Sequence, residues 1–146
     1  MKHLAPLGGV YQAGTFSGNP IVMQAGLATL KNLTPQVYKK LNTVADAFVA
    51  KTNVLLRKAN APAHLVNYKS MISIRFRIEP VYNYADAKNA SSDKMYAKLF
   101  HHLLKNGIYW PPADLEAFFI STKHTIQCLD HLSLQIKKSF GVNAKF

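Results

Sequence analysis

The chain has 146 residues, of which 49% are apolar, so it is long enough for one folded domain with a real core and too apolar for a disordered protein. The formal net charge of +11 comes from scattered basic residues without a run of four, which favours a generally basic surface over a dedicated nucleic-acid site. The single cysteine, Cys128, excludes an internal disulfide framework.

The first 30 residues are almost uncharged, but they do not form a membrane span. No charged residue lies between Lys2 and Lys31, yet glycines, prolines and amides interrupt the apolar residues throughout. A spanning helix needs about 20 consecutive, predominantly apolar residues. We therefore expect no membrane partner and a segment that is buried against protein.

The stretch from Gln12 to Pro20 joins a glycine-rich turn to the start of a helix. Asn19 suits the capping position and Pro20 the first helical position. Free N–H groups at this helix start, beside the hydroxyls of Thr15 and Ser17, are suited to a phosphate or another anion. Short glycine motifs are weak indicators, so spacing alone favours a tight turn before a core helix.

Two helices follow. Residues 20–33 are apolar around most of the helical circumference, which is typical of a helix covered on all sides and indicates a partner or a further domain. Thr34 and Pro35 then mark the start of a second helix, whose apolar residues recur at helical spacing to about Lys58.

The pattern then changes to strand alternation. Residues 64–68 indicate a short strand, and residues 71–78 alternate between apolar and polar side chains. Arg75 and Arg77 should share one face, which is either solvated or in contact with a carboxylate or phosphate. Residues 79–91 have no core pattern and predict a long connection.

The last part predicts a helix, two strands and a helix. Ser91 or Ser92 caps the third helix, and Asn106 and Gly107 end it. Residues 108–110 and 116–121 predict strands; Thr125 caps a last helix that Gly141 closes, and residues 142–146 are expected to fray. The predicted order is α-α-β-β-α-β-β-α. The fold class is α+β, with a small mostly antiparallel sheet, helices on one face and a long apolar helix before it. We expect a boundary between residues 1–33 and 34–146.

The chain contains no self-contained catalytic set. CxxC, HExxH, GxSxG and P-loop patterns are absent, and no metal site is expected because the adjacent His101 and His102 point about 100° apart on a helix. Asp114 and Glu116 form a conceivable carboxylate pair. Glu116 is the stronger candidate, because it stands between a double-proline turn and an apolar strand; it is either a surface charge at the strand edge or a carboxylate aimed into a cleft.

Several motifs, in order, resemble the glutamate-1-semialdehyde 2,1-aminomutase family of class-III aminotransferases. The block Val10-Tyr11-Gln12-Ala13-Gly14-Thr15-Phe16-Ser17-Gly18-Asn19-Pro20 resembles several class-III aminotransferases. The later motifs are similar to the aminomutases in particular: Ser70-Met71, Asn83-Tyr84-Ala85-Asp86-Ala87-Lys88, Gly107-Ile108-Tyr109, Pro112, Glu116-Ala117-Phe118-Phe119-Ile120-Ser121 and His124-Thr125. The resemblance extends over nearly the whole chain.

The resemblance implies the C-terminal domain of a cytoplasmic, homodimeric enzyme of pyridoxal-phosphate fold type I. That enzyme converts glutamate 1-semialdehyde to 5-aminolevulinate for tetrapyrrole synthesis. The large domain and the lysine that forms the Schiff base with pyridoxal phosphate precede the matching region. No catalytic residue is therefore expected in this chain, which should bind no cofactor and be inactive alone, with the large domain and a second subunit as partners.

The resemblance also assigns roles to individual residues. Gly14 and Thr15 match the loop that reaches the phosphate of the neighbouring subunit's cofactor, and Glu116 matches an acidic residue near the substrate's amino groups. Phe118 replaces a residue that is often small in the family, and Ile126-Gln127-Cys128 replaces a first helical turn that is often acidic there. Two alternatives stay open: a domain of another class-III aminotransferase, and a basic module that binds nucleic acid or an acidic partner.

Overall fold

The structure is a computed structural model that describes residues 1–141. The chain divides into two compact units, Met1–Val37 and a second unit that begins at Tyr38. The elements are, in chain order, α1 (Pro20–Asn32), α2 (Pro35–Lys58), β1 (His64–Tyr68), β2 (Met71–Arg75), α3 (Tyr84–Asn89), α4 (Asp93–Lys105), β3 (Phe118–Phe119) and α5 (Ile126–Ser139).

The first unit consists of irregular backbone followed by α1. The helix has 13 residues, and none of them is buried. Ile21 is 78% exposed and Leu30 is 68% exposed. The described chain therefore does not cover this helix, and the expectation that a partner or a further domain covers it stays a prediction. The expectation of a long apolar helix is not confirmed, since α1 is of ordinary length and ends in Lys31 and Asn32.

The sheet of the second unit has three antiparallel strands in the order β1-β2-β3. Strands β1 and β2 form a hairpin that pairs His64 with Arg75 and Tyr68 with Met71. Strand β3 pairs with the start of β2, where Phe119 lies opposite Met71. The predicted α+β class with a small antiparallel sheet is confirmed.

The core of the second unit lies among the hairpin and the helices α2, α4 and α5. The apolar core residues recur at the spacings predicted for helices and strands. Each element therefore buries one face. Fully buried side chains include Leu56, Leu65, Ile72, Ile74, Leu99, Leu103 and Ile136. One polar pair lies within this core, where the hydroxyls of Thr52 and Ser133 are 2.8 Å apart.

Three predicted boundaries are wrong. Residues 108–110 are not a strand, and the predicted strand 116–121 is reduced to two residues. Pro111 and Pro112 explain part of this, because proline has no N–H group to donate to a neighbouring strand. The second predicted strand, which was expected to reach residue 78, ends at Arg75.

The predicted connection 79–91 contains a helix, α3, of six residues. The side chain of Asn83 caps it by accepting a hydrogen bond from the amide of Asp86 at 2.9 Å. The observed order is therefore α-α-β-β-α-α-β-α. Among residues 1–141, no helix is long and apolar enough to cross a membrane. The predicted fraying of residues 142–146 lies outside the described residues.

Candidate functional site

The loop that carries Gly14 and Thr15 is a tight turn in the first unit. The backbone amide of Ser17 donates to the carbonyl of Gly14 at 2.9 Å, and the backbone amide of Asn19 donates to the carbonyl of Phe16 at 3.1 Å. Gly18 has a φ of 76°, a conformation that glycine adopts without steric cost. Gly14 and Thr15 are both exposed. The turn is therefore formed as predicted, and its tip is exposed.

The helix start behind this turn is not free to hold an anion. The side-chain oxygen of Asn19 accepts hydrogen bonds from the amides of Ile21 at 3.0 Å and Val22 at 3.2 Å. The prediction that free N–H groups of the helix start bind a phosphate is therefore wrong for these two groups, because the cap occupies them. Within residues 1–141, the amide and hydroxyl of Thr15 have no hydrogen-bond partner. Thr15 is thus the donor that the turn leaves available.

Glu116 lies in the second unit, on the turn that precedes β3. Its amide donates to the carbonyl of Ala113 at 3.1 Å, and its side chain is exposed. The strand begins two residues later, at Phe118, so Glu116 is not part of it. In the described part of the chain, its carboxylate has neither an ion pair nor a hydrogen-bond partner.

Three side chains from other parts of the second unit contact this turn. The Tyr96 hydroxyl donates to the carbonyl of Pro111 at 2.6 Å, and Arg75 Nη1 donates to the carbonyl of Asp114 at 3.3 Å. The Asp114 carboxylate accepts hydrogen bonds from the hydroxyl of Ser91 at 2.6 Å and the amide of Ser92 at 2.9 Å. The sequence offers Asp114 as a conceivable partner of Glu116, whereas in the structure it is a buried tertiary contact.

The two arginines of β2 and its continuation differ in their surroundings. Arg75 is only 8% exposed and donates to the backbone carbonyls of Ile74 and Asp114, so within the described residues it has neither the solvated position nor the carboxylate contact that the sequence left open. Arg77 pairs with Glu79 at 3.4 Å. The pKa of Glu79 is lowered first by the hydrogen bond that its carboxylate accepts from its own backbone, and further by the positive charge of Arg77.

Comparisons with known proteins place these motifs in context. No protein-family model matches the chain. A glutamate-1-semialdehyde 2,1-aminomutase from Ruminiclostridium cellulolyticum is 42% identical over 132 residues, and one from Clostridium kluyveri is 43% identical over 133 residues. Each alignment covers 89% of this chain. The chain is homologous to one part of the glutamate-1-semialdehyde 2,1-aminomutases. It spans only 30% of the R. cellulolyticum relative and 31% of the C. kluyveri relative.

Solved structures agree on the fold. A β-phenylalanine aminotransferase from Variovorax paradoxus matches with a TM-score of 0.78 and 26% identity, and an omega-transaminase from Sphaerobacter thermophilus with 0.75 and 25%. A glutamate-1-semialdehyde-aminomutase from Pseudomonas aeruginosa, solved with PMP, matches with 0.76 at 18% identity, which supports the fold alone. Each match covers 90% of this chain and 30% of the other. The predicted resemblance to this group of aminotransferases is thereby confirmed.

Proposed function

We propose that the chain is the C-terminal part of a glutamate-1-semialdehyde 2,1-aminomutase, in which glutamate 1-semialdehyde is converted to 5-aminolevulinate in the cytoplasm. The observation that carries the proposal is 42% identity over 89% of the chain to a relative of which it spans 30%. Residues 1–33 would complete the large domain, and residues 34–146 would form the small domain. The remaining part of the enzyme would supply the lysine that holds the cofactor, so the chain alone would be inactive and bind no cofactor.

The exposed apolar surface of the first unit supports a companion domain. Large apolar side chains remain exposed before α1 and along it: Leu7, Tyr11, Phe16, Ile21, Met23, Leu27 and Leu30. Contiguous apolar patches on soluble proteins mark interaction sites. The large domain of the same enzyme and a second subunit are the partners that would cover this surface.

Thr15 fits a role toward the phosphate of pyridoxal 5′-phosphate. Its amide and hydroxyl are exposed donors without a partner in residues 1–141, as a phosphate-binding loop requires. A Cβ atom at Gly14 would lie 2.9 Å from Ser17 Oγ, so a larger residue there would displace that hydroxyl. When bound, the cofactor supplies the chemistry of amino-group transfer, and Thr15 would contribute to binding and orientation in the neighbouring subunit.

Glu116 fits a role toward the amino groups of the substrate. Its carboxylate is exposed and unpaired within the described residues, while the backbone beneath it is held by buried side chains. A carboxylate accepts charge-assisted hydrogen bonds from an ammonium group. An available acceptor on a fixed turn can therefore orient a substrate that carries amino groups.

A chimeric enzyme tests the proposal. In it, this chain replaces the matching segment of the C. kluyveri aminomutase, and 5-aminolevulinate formation is measured with added pyridoxal phosphate. We expect turnover in the chimera, about a tenfold or larger loss of kcat/KM in Glu116→Gln, and weaker cofactor binding in Thr15→Val but not in Thr15→Ser. Glu79→Gln and Thr29→Val are matched controls, because Glu79 is an exposed carboxylate that pairs with Arg77 and Thr29 donates within α1. A folded chimera without turnover would overturn the proposal.

A different class-III aminotransferase is the second candidate, because the solved transaminases named above match the fold equally well. The same chimera distinguishes the two functions when it is offered β-phenylalanine with an acceptor keto acid. Turnover of that pair in the absence of aminomutase activity would favour the second candidate.

A further inference from the structure

Buried polar side chains hydrogen-bond with the turn formed by residues 111–116 or with residues next to it. Arg75 is 8% exposed, Tyr96 is 5% exposed and Asp114 is 8% exposed. Each makes a hydrogen bond that involves the turn, and they come from β2, α4 and the turn itself. Burying a polar group costs free energy unless its hydrogen bonds are replaced, so three such groups beneath one turn call for a physical reason.

Tyr96 holds the first residue of the turn. Its hydroxyl donates to the carbonyl of Pro111 at 2.6 Å. Burial raises the pKa of Tyr96 to about 12, so the hydroxyl keeps its proton and remains a donor throughout the physiological range. The carbonyl of Pro111 thus has a permanent partner at a fixed distance from α4.

Asp114 and Arg75 hold the middle of the turn. One oxygen of the Asp114 carboxylate, Oδ2, accepts from Ser91 and Ser92 at the start of α4, while Arg75 Nη1 donates to the backbone carbonyl of Asp114. The turn is therefore tied to α4 through a side chain and to β2 through its backbone. Glu116 follows two residues later, and its amide donates to Ala113 within the same turn.

These contacts are not optimised for stability. Arg75 Nε and Asp114 Oδ1 are buried without a hydrogen-bond partner, and the two side chains do not form an ion pair within the described residues. Buried polar groups that are only partly satisfied are often less stable than apolar side chains of similar volume. The arrangement is better suited to fixing the backbone in one place than to increasing the free energy of unfolding.

We propose that Arg75, Tyr96 and Asp114 are positioning residues that set the location of the Glu116 carboxylate relative to the substrate. The inference rests on the proposed substrate role of Glu116 and adds the residues through which that role is established. A displacement of about 1 Å at a substrate-orienting group lowers turnover by about a hundredfold, so a fixed turn has a direct catalytic consequence.

Amide hydrogen exchange in the 146-residue chain tests the positioning itself. The amide of Glu116 is the reporter, because its hydrogen bond to Ala113 closes the turn. We expect Asp114→Ala to accelerate its exchange about tenfold or more, and Asp114→Asn, which keeps an acceptor for Ser91 and Ser92, to have a much smaller effect. Ser133→Ala is the matched control, since it removes a buried hydroxyl from the core away from the turn. Equal acceleration in Asp114→Ala and Ser133→Ala would overturn the inference.

A double-mutant cycle in the chimeric enzyme tests the route through Glu116. We expect Asp114→Ala to lower kcat/KM about tenfold when Glu116 is present and less than about twofold in the Glu116→Gln background, because a positioning residue acts only through the group it positions. Independent, additive losses would overturn the inference. If Asp114→Ala does not fold, Tyr96→Phe, which removes one hydroxyl, is used in the same cycle with the same two outcomes.

The two experiments also separate this inference from the function on which it rests. If Glu116→Gln leaves turnover unchanged, the substrate role of Glu116 is overturned, and with it the catalytic part of the inference. The exchange measurement then still decides whether the three side chains fix the turn.

Discussion

The stability of α1 depends on local interactions, which makes its cap a sensitive position. None of its 13 residues is buried, so tertiary packing within this chain contributes little to the helix. Asn19 supplies the main local contact, accepting hydrogen bonds from the amides of Ile21 and Val22. Replacing Asn19 by alanine removes both hydrogen bonds and leaves the two amides to water.

The expected effect follows from the measured cost of removing a cap. Exchanging asparagine for alanine at this position costs about 1 kcal/mol of helix stability. A loss of 1 kcal/mol corresponds to about a fivefold change in the equilibrium between helix and open chain. In a helix of three to four turns that is stabilised mainly by local terms, such a change affects the whole helix.

Amide hydrogen exchange measures this effect residue by residue. In Asn19→Ala, the amides of residues 23–32 should exchange about fivefold faster, while those of α4 should be unchanged because α4 lies in the second unit and has its own cap, Ser92. Asn19→Asp is the control that retains the accepting oxygen. If exchange in α1 is equal in Asn19→Ala and the parent chain, local capping does not determine the stability of this helix.

Three further predictions concern the core, the cysteine and the first unit. Thr52→Val should lower the free energy of unfolding in urea by about 1–2 kcal/mol, because it leaves the buried Ser133 hydroxyl unpaired. The double variant Thr52→Val/Ser133→Ala should lose less than the sum of the two single variants, and additive losses would refute the buried hydrogen bond. The hydrogen bond from Thr125 lowers the pKa of the exposed Cys128 thiol. The pH midpoint of the alkylation rate should therefore rise in Thr125→Val and stay unchanged in Thr125→Ser. The same midpoint in Thr125→Val and the parent chain would contradict this cause. The isolated chain should associate at high concentration through residues 4–30, as measured by light scattering, and a clean monomer with α1 ordered would contradict the proposed covered surface.

The elements with strong periodicity and clear caps were predictable from the sequence. Helices α2, α4 and α5 have long apolar stripes, and Ser92 and Thr125 cap the last two as expected. Strand β2 was predictable from its alternation of apolar and polar residues, whereas β1 has no regular alternation and was expected only as a short strand. The pairing of the two strands in a hairpin is added by the structure. Local patterns are sufficient where an element buries one regular stripe.

Short elements were not predictable in the same way. Helix α3 has only six residues, too few for a helical period to be recognised, and its evident cap, Asn83, was the one available signal. Strand β3 is reduced to two residues because its pairing depends on where the double-proline turn leaves the chain, not on β-propensity. The overestimate of β3 placed Glu116 on a strand, whereas it lies on a turn.

The tertiary contacts of the turn that carries Glu116 could not be predicted from the sequence either. Asp114 meets Ser92 across 22 positions and Arg75 across 39 positions, and neither separation produces a local pattern. The exposure of α1 is a different case. Its apolar circumference predicts a helix that contacts a partner, but residues 1–141 do not bury it. Its proposed cover is the part of the aminomutase that this chain does not match.

The most direct test of the account is the formation of 5-aminolevulinate from glutamate 1-semialdehyde, measured side by side for the isolated chain and for the chimera that carries it within the C. kluyveri aminomutase. The expected result is no turnover by the isolated chain and pyridoxal-phosphate-dependent turnover by the chimera, reduced by Glu116→Gln. Turnover by the isolated chain, or a folded and cofactor-bound chimera without activity, would contradict it.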